Sequence, residues 1–548
     1  MKVSSKIVLG FMLVMMICCI SVVSATDINS TDDTLVTDDI AVDDVSETVE
    51  DVEIDDISKD VVGDRDGEGI VTVNNTNYNQ YFNESGYLIG DNIQTLIFEN
   101  DFNEVSTDFG NFKITKSVGL QFVNATFHNI GFDLIGNNLI LAGANFTGDV
   151  NATNGATINV LGDGAAVANV HINVSAPENK NFYAIDVQSK NNVRLLNNVI
   201  TYTCGYNNTA NYNYVIKGRN SPGLIVKNNT ITAYLPLKKV NWDVSGSIDA
   251  DYVAGVAIEN SNVNLTGNDI TVIGNVIGGS FPTLDAVIIA QSTDAHIEHN
   301  TIHENDVVTP NGGYSYIYGI DVYSCPNIKI NNNTVVMNGN ASGSHLPSGN
   351  GTGAAYCIQL SGTHSGVEIY DNTLTTQNQG PNLGIYSQNY HAASHLKIYN
   401  NRINVTGKAG SDPWSLVSGM ELQDTSAEVY GNNITVKNTV NNTNYCAYGI
   451  SYSQYTAGEH KYDIHNNNVV VENGKYAVYL DGVVNSLVYN NCLDTDVYCG
   501  DNAVYMTGDE NDYYNNYCSH CLNCTSCHVC NPWWILKKKF LEFLFFFF

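Results

Sequence analysis

The sequence predicts an all-β chain folded as a parallel β-helix, a solenoid of stacked coils, behind a disordered N-terminal segment. Three observations lead there. A motif of alternating apolar and polar residues, an asparagine pair and a resumed apolar run returns as "LKIYNNRINVTG" (395–406), "IKINNNTVVMNG" (328–339) and "AEVYGNNITVKN" (427–438). A second alternating stretch lies between copies, as in "YAIDVQS" (183–189), "YGIDVYS" (318–324) and "SGMELQD" (418–424). The composition, with 75 Asn and 46 Gly in 548 residues, works against helices, because the asparagine side chain competes for backbone hydrogen bonds.

The elements follow in order. Residues 1–25 have the layout of an export signal: Lys2 and Lys6, an apolar stretch from Ile7 to Val23, then small residues at Ser24 and Ala25. An uncleaved anchor is the alternative, since the apolar stretch is near the short limit for a spanning helix. Residues 26–69 carry 17 acidic residues against Lys59 and Arg65, about half of the formal net charge of −32. Self-repulsion and the lack of aromatics leave this segment unable to bury a core, so it reads as an extended, solvated linker. The β-helix is predicted over 70–517, with 70–165 as its N-terminal cap and first coils, where the asparagines are placed less regularly.

From Leu195 onward the motif's asparagine recurs at Asn198, Asn229, Asn268, Asn300, Asn333, Asn372, Asn401, Asn432, Asn467 and Asn491. Spacings of 24 to 39 residues exclude a helical array of rigid period and fit one coil of short strands per copy. Apolar positions such as Ile330, Val335, Ile398 and Ile403 are predicted to stack inward. The asparagine tolerates left-handed backbone angles at a bend, and its amide both donates and accepts, so copies one coil apart can bond along the axis as a ladder.

Export signal, acidic spacer and asparagine-punctuated repeats together resemble the adhesin-like surface proteins of methanogenic archaea, which are built on the right-handed parallel β-helix shared with pectate-lyase-like proteins. The resemblance covers roughly 70–517 and implies a right-handed solenoid at the cell surface. It also brings polysaccharide lyases and hydrolases into consideration as a rival reading. The resemblance to such enzymes implies an Arg or Lys base facing a calcium-binding carboxylate cluster, or paired aspartates with Gly-His-Gly and Arg-Ile-Lys. Asn-Thr-Asp, Gly-His-Gly and Arg-Ile-Lys do not occur, "RIN" at 402–404 is the nearest, and Asp-Asp pairs occur only in the acidic segment. The reading favours a structural or carbohydrate-binding protein over an enzyme.

The chemistry available to such a surface can be located. Lys and Arg total 24 against 56 Asp and Glu, which should repel nucleic acid and anionic lipid. Aligning the second strand of each unit places Asp186, Glu259, Asp321, Gln359, Tyr386, Glu421, Ser451, Tyr479 and Tyr505 in one outward column. Within it Asp321, Gln359, Tyr386, Glu421, Tyr479 and Tyr505 are the candidate glycan contacts, offering hydrogen bonds and flat rings to sugars. A plain solvated strand face rich in β-favouring Tyr is the alternative. The expected partner is an extracellular polysaccharide or cell-wall glycan, including that of another cell, and no cofactor is implied.

Three further features remain. "AHIEHNTIHEND" gathers His296, Glu298, His299, His303, Glu304 and Asp306, ligand types for a metal, but no known metal spacing is matched and a strand turns His296 and His299 to opposite sides, so the histidines read as surface residues. Cys518, Cys521, Cys524, Cys527 and Cys530 stand three apart, which suits disulfides in an exported chain, with one cysteine left for Cys499, Cys492 or another chain, or else a metal. The end, "NPWWILKKKFLEFLFFFF", is too short and lysine-interrupted for a transmembrane anchor and reads as aberrant. Sequons at Asn83, Asn124, Asn145, Asn264, Asn340 and Asn404 predict glycosylation wherever the host modifies them.

Overall fold

A computed structural model describes residues 69–518, apart from 106–108, 150–154, 177–180, 205–212, 236–252, 278–282, 310–315, 339, 342–353, 379, 390–394, 411–415, 444–445 and 453–458. Residues 1–25, predicted to be an export signal, nearly all of the acidic segment and the cysteines after Cys518 lie outside the described residues. Among the described residues there is no α-helix, and every strand of the three long sheets runs parallel to its neighbours. The chain is a right-handed parallel β-helix. One coil reads Phe182–Gln188, Arg194–Leu196 and Val199–Cys204; the next reads Asn213–Arg219, Ile225–Lys227 and Thr230–Leu235. The first strands of successive coils build a 14-stranded sheet (sheet 1), the second a 13-stranded sheet (sheet 2), and the third a 17-stranded sheet (sheet 3).

Alternation along each strand becomes a column across the coils. On sheet 3 the register runs Ile172, Ile200, Ile231, Ile270, Ile302, Val335, Leu374, Ile403, Ile434, Val469 and Leu493, all of them buried. Ile330 and Ile398 sit in the matching column of sheet 2. Burying each such side chain contributes on the order of 1.5–3 kcal/mol, and branched residues fit the flat parallel surface. Where sheet 1 meets sheet 3 the coil narrows, and residues of sheet 1 there are small: Gly319, Gly384, Gly419 and Gly449. A Cβ on Gly419 would lie 2.3 Å from Ile434 Cγ2, and one on Gly449 2.0 Å from Val469 Cγ1. The recurring "YGI" and "SGM" of the sequence record that close approach. At the N-terminal end phenylalanines replace the aliphatic columns, with Phe102 and Phe127 stacked at 4.8 Å and Phe127 and Phe146 at 5.3 Å.

The corner between sheets 2 and 3 holds the predicted ladder. Asn198 Nδ2 donates to Asn229 Oδ1 at 2.8 Å, Asn229 to Asn268 at 2.9 Å, Asn268 to Asn300 at 2.9 Å and Asn300 to Asn333 at 3.0 Å. The series continues through Asn372, Asn401, Asn432, Asn467 and Asn491 to Asn516. Each Oδ1 also takes the backbone N–H of the preceding ladder residue, as Asn432 does from Asn401 at 2.9 Å. Each Nδ2 reaches back to a carbonyl as well, as Asn401 does to Ile369 at 2.9 Å. One amide thus satisfies four polar groups at a corner closed to water. The backbone role assigned to these asparagines belongs to their predecessors instead. The positive φ falls on Asn197, Asn228, Asn332, Asn400, Asn466, Asn490 and Asn515, with Asp371 (φ 56°), His299 (φ 57°) and Gly431 (φ 66°) in the same place. The bend and the ladder need different backbone angles, so two adjacent residues divide the work.

Candidate functional site

Sheet 1 positions the predicted column. Its outward register runs Asp186, Lys217, Ala257, Ile288, Asp321, Gln359, Tyr386, Glu421, Ser451, Tyr479 and Tyr505. All six candidate glycan contacts share it. Glu259 does not: it stands two positions along its strand, in register with Arg219 and Ala290, and its carboxylate meets Arg219 Nε at 3.1 Å.

Outward does not mean solvent-exposed everywhere. Ala257 and Ile288 pack with Tyr183 and Tyr214 into an apolar patch, and Lys217 is buried with its ammonium 4.9 Å over the Tyr183 ring. Asp321 and Glu421 are only 5% and 6% exposed, so alternation placed them on the right face but not in water. The open part is Gln359, Tyr386, Tyr479 and Tyr505, each half-buried. Tyr386 stacks on Tyr356 at 5.1 Å and donates its hydroxyl to Gln423 Oε1 at 3.0 Å, while Gln423 Nε2 donates to Glu421 at 2.7 Å. Tyr479 stacks between Tyr448 and Tyr505, both at 4.7 Å. Lys475 holds its ammonium 5.0 Å over Tyr476 beside them, an arrangement that stabilises a cation on an aromatic face.

Asp321 belongs to an acidic group with Asp285, Glu304 and Asp306. Burial, reinforced by the neighbouring acids, raises the carboxyls of Asp285 and Glu304 well above the usual range. Burial likewise lifts Asp306 to about 8 and Asp321 to about 7. Among the described residues neither oxygen of Asp285 has a hydrogen-bond partner, and Asp306 uses one of its two on the Gly274 N–H at 2.6 Å. No three of these oxygens stand close enough to share a metal ion. Glu304 and Asp306 are buried: Glu304 occupies an inward column between Val272 and Met337. His296 and His303 are half-buried and His299 is exposed.

Sheet 2 carries a feature that sequence reasoning missed. Tyr370, Tyr399, Tyr430, His465, Tyr489 and Tyr514 stack in one continuous row, with centroids 4.8, 5.0, 5.3, 5.1 and 5.4 Å apart and the first two pairs within 1° of parallel. All are half-buried except Tyr514, which is exposed. Two residues earlier on each strand a second column runs Lys329, Glu368, Lys397, Glu428 and Asp463. The signal was present in the sequence: from Tyr370 on, an aromatic ring stands two places before every ladder asparagine.

At the C-terminal end Cys518 forms a disulfide with Cys499, one of the partners weighed for it, and Asp494 lies beside the pair. Cys521, Cys524, Cys527 and Cys530 lie outside the described residues. Compared with known proteins, no family model matches the chain and no curated protein is significantly similar to it.

Proposed function

We propose that this chain is an exported, surface-displayed, adhesin-like protein whose β-helix binds an extracellular glycan without cleaving it. The observation that carries the reading is the half-exposed row of Gln359, Tyr386, Tyr479 and Tyr505 on sheet 1. Coils repeat these positions at about 4.8 Å, so a polymer lying along the axis meets successive weak contacts whose effects combine. The layout of the first 25 residues supports export, and the acidic composition of 26–69 suits a spacer ahead of the β-helix. The full chain on a glycan array tests the reading. Retention on at least one polysaccharide, weakened in Tyr479→Ala/Tyr505→Ala, is expected; retention on none overturns it.

A second reading, a polysaccharide-active enzyme, is favoured by one observation. The Asp321 carboxyl, raised to about 7 by burial, has the proton affinity of a general acid, and Asp285 neighbours it. Against it stands the burial of both groups. Release of reducing or unsaturated sugar ends by the full chain, abolished in Asp321→Asn, would establish the enzymatic reading in place of the first.

A further inference from the structure

We propose that the aromatic row of sheet 2 is a second contact line for the same glycan, and that it selects a neutral, extended, β-linked chain lying parallel to the axis; this rests on the glycan-binding reading above. The geometry of the row decides what it can recognise. Tyr370, Tyr399 and Tyr430 lie face to face at 4.8 and 5.0 Å, so each interior ring has both faces covered by its neighbours. Sugars cannot lie flat on those rings. What the row turns to solvent is one ring edge per coil and, in the consecutive coils of Tyr370, Tyr399 and Tyr430, phenolic hydroxyls; His465 offers ring nitrogens in their place, and the Tyr489 hydroxyl already bonds Asp463. Hydroxyls donate and accept, and ring edges carry the positive part of the aromatic quadrupole, so both meet sugar oxygens. Tyr514, last in the row and 39% exposed, has a described ring partner on one side, Tyr489.

The spacing then limits the shape of the partner. A step of about 5 Å per coil is close to the length of one sugar in an extended β-linked chain, so successive sugars meet equivalent hydroxyls over Tyr370, Tyr399 and Tyr430. Branched or coiled glycans lose that match after one or two coils. The charge limits its chemistry. Beside the row the column Lys329, Glu368, Lys397, Glu428, Asp463 alternates in sign and then turns acidic, and the whole chain carries −32. A polyuronate would be repelled, while a neutral chain can hydrogen-bond to both lysine and carboxylate.

The test uses the full chain in pull-down with insoluble β-1,4-glucan, chitin and polygalacturonate. Wild type is expected on one or both neutral polymers and not on polygalacturonate. Tyr399→Phe/Tyr430→Phe keeps the stack and removes two hydroxyls, so retention should fall about tenfold with the melting temperature unchanged. Tyr399→Ala/Tyr430→Ala should lose more, at some cost in stability. Retention of wild type by no polymer, here or on the wider array, overturns glycan binding itself. Retention equal in wild type and the Phe variant, or preference for polygalacturonate, overturns only the sheet 2 contact. Loss of self-association in the Phe variant, with glycan retention intact, would show that this face pairs with a second copy instead.

Discussion

Asn516 donates to Asp501 Oδ1 twice, from its backbone N–H at 3.0 Å and from Nδ2 at 2.8 Å. The asparagine ladder therefore ends on a carboxylate supplied by a short 3-10 turn, Gly500–Ala503, rather than on solvent. A carboxylate accepting two N–H groups is stronger than the amide it replaces. Asp501→Ala is expected to destabilise the last coil by about 1–3 kcal/mol, since it strands two donors, and Asp501→Asn by less. Hydrogen exchange confined to 487–517 should report the difference, and equal protection in the Ala variant would remove the capping role.

Within the ladder the two adjacent asparagines should respond differently. Asn401→Ala leaves groups on Asn372 and Ile369 without partners and should cost about 3 kcal/mol. Asn400, at φ 56°, is a backbone residue, so Asn400→Gly should be nearly neutral and Asn400→Ala should cost about 1 kcal/mol. Denaturant titration of the three variants separates the roles; a reversed order would contradict the division.

The buried carboxyls make stability depend on pH in a defined direction. In the unfolded chain they ionise from about pH 4, but in the fold Asp321 and Asp306 hold their protons to about 7 and about 8. Over that window the unfolded state loses protons first, so stability falls as pH rises. Glu304→Met, matching Met337 in its column, should raise the melting temperature at pH 8 much more than at pH 4. Equal gains at both would show that Glu304 ionises in the fold as it does in the unfolded chain, and that burial does not raise its carboxyl. His364 acts oppositely: burial lowers its imidazole to about 4, so its contribution is lost as pH falls from about 6.5 towards 4.

The Cys499–Cys518 disulfide closes a 19-residue separation, worth about 3 kcal/mol to the end of the β-helix in the chain-entropy picture. Reduction should loosen the last coil and leave the coils near Asn300 protected. Uniform loss of protection along the whole β-helix would mean that the end coil governs global unfolding.

The columns and ten ladder positions were legible because the chain writes them locally, in a period of two and a fixed offset. Asn516 escaped because Tyr517 and Cys518 follow it where the motif resumes an apolar run. The aromatic row escaped for a different reason. Tyr399 and Ile403 are both ordinary strand residues, and only the inter-coil register sets the rings of one outward column against each other. Burial of Asp321, Glu421 and Ile288 was illegible in principle, since strand alternation assigns a face but says nothing of what lies against it. Tyr386 is a related case, a ring on the outward face that is also packed. Stacked on Tyr356, this ring contributes to stability as well as to the surface, on the order of 0.5–1.5 kcal/mol for the pair.

Every amide of the corner ladder points the same way, hydrogen towards the C-terminal end and oxygen towards the N-terminal end, from Val170 N–H onto Asn198 Oδ1 to Asn516 Nδ2 onto Asp501. Eleven parallel side-chain dipoles add head to tail, much as peptide units do in an α-helix. The ladder is thus an electrically polar row, and the Asp501 carboxylate meets its positive end. Lengthening it by one coil would deepen that polarity by one amide, whereas a coil inserted without its asparagine would break the row into two weaker ones.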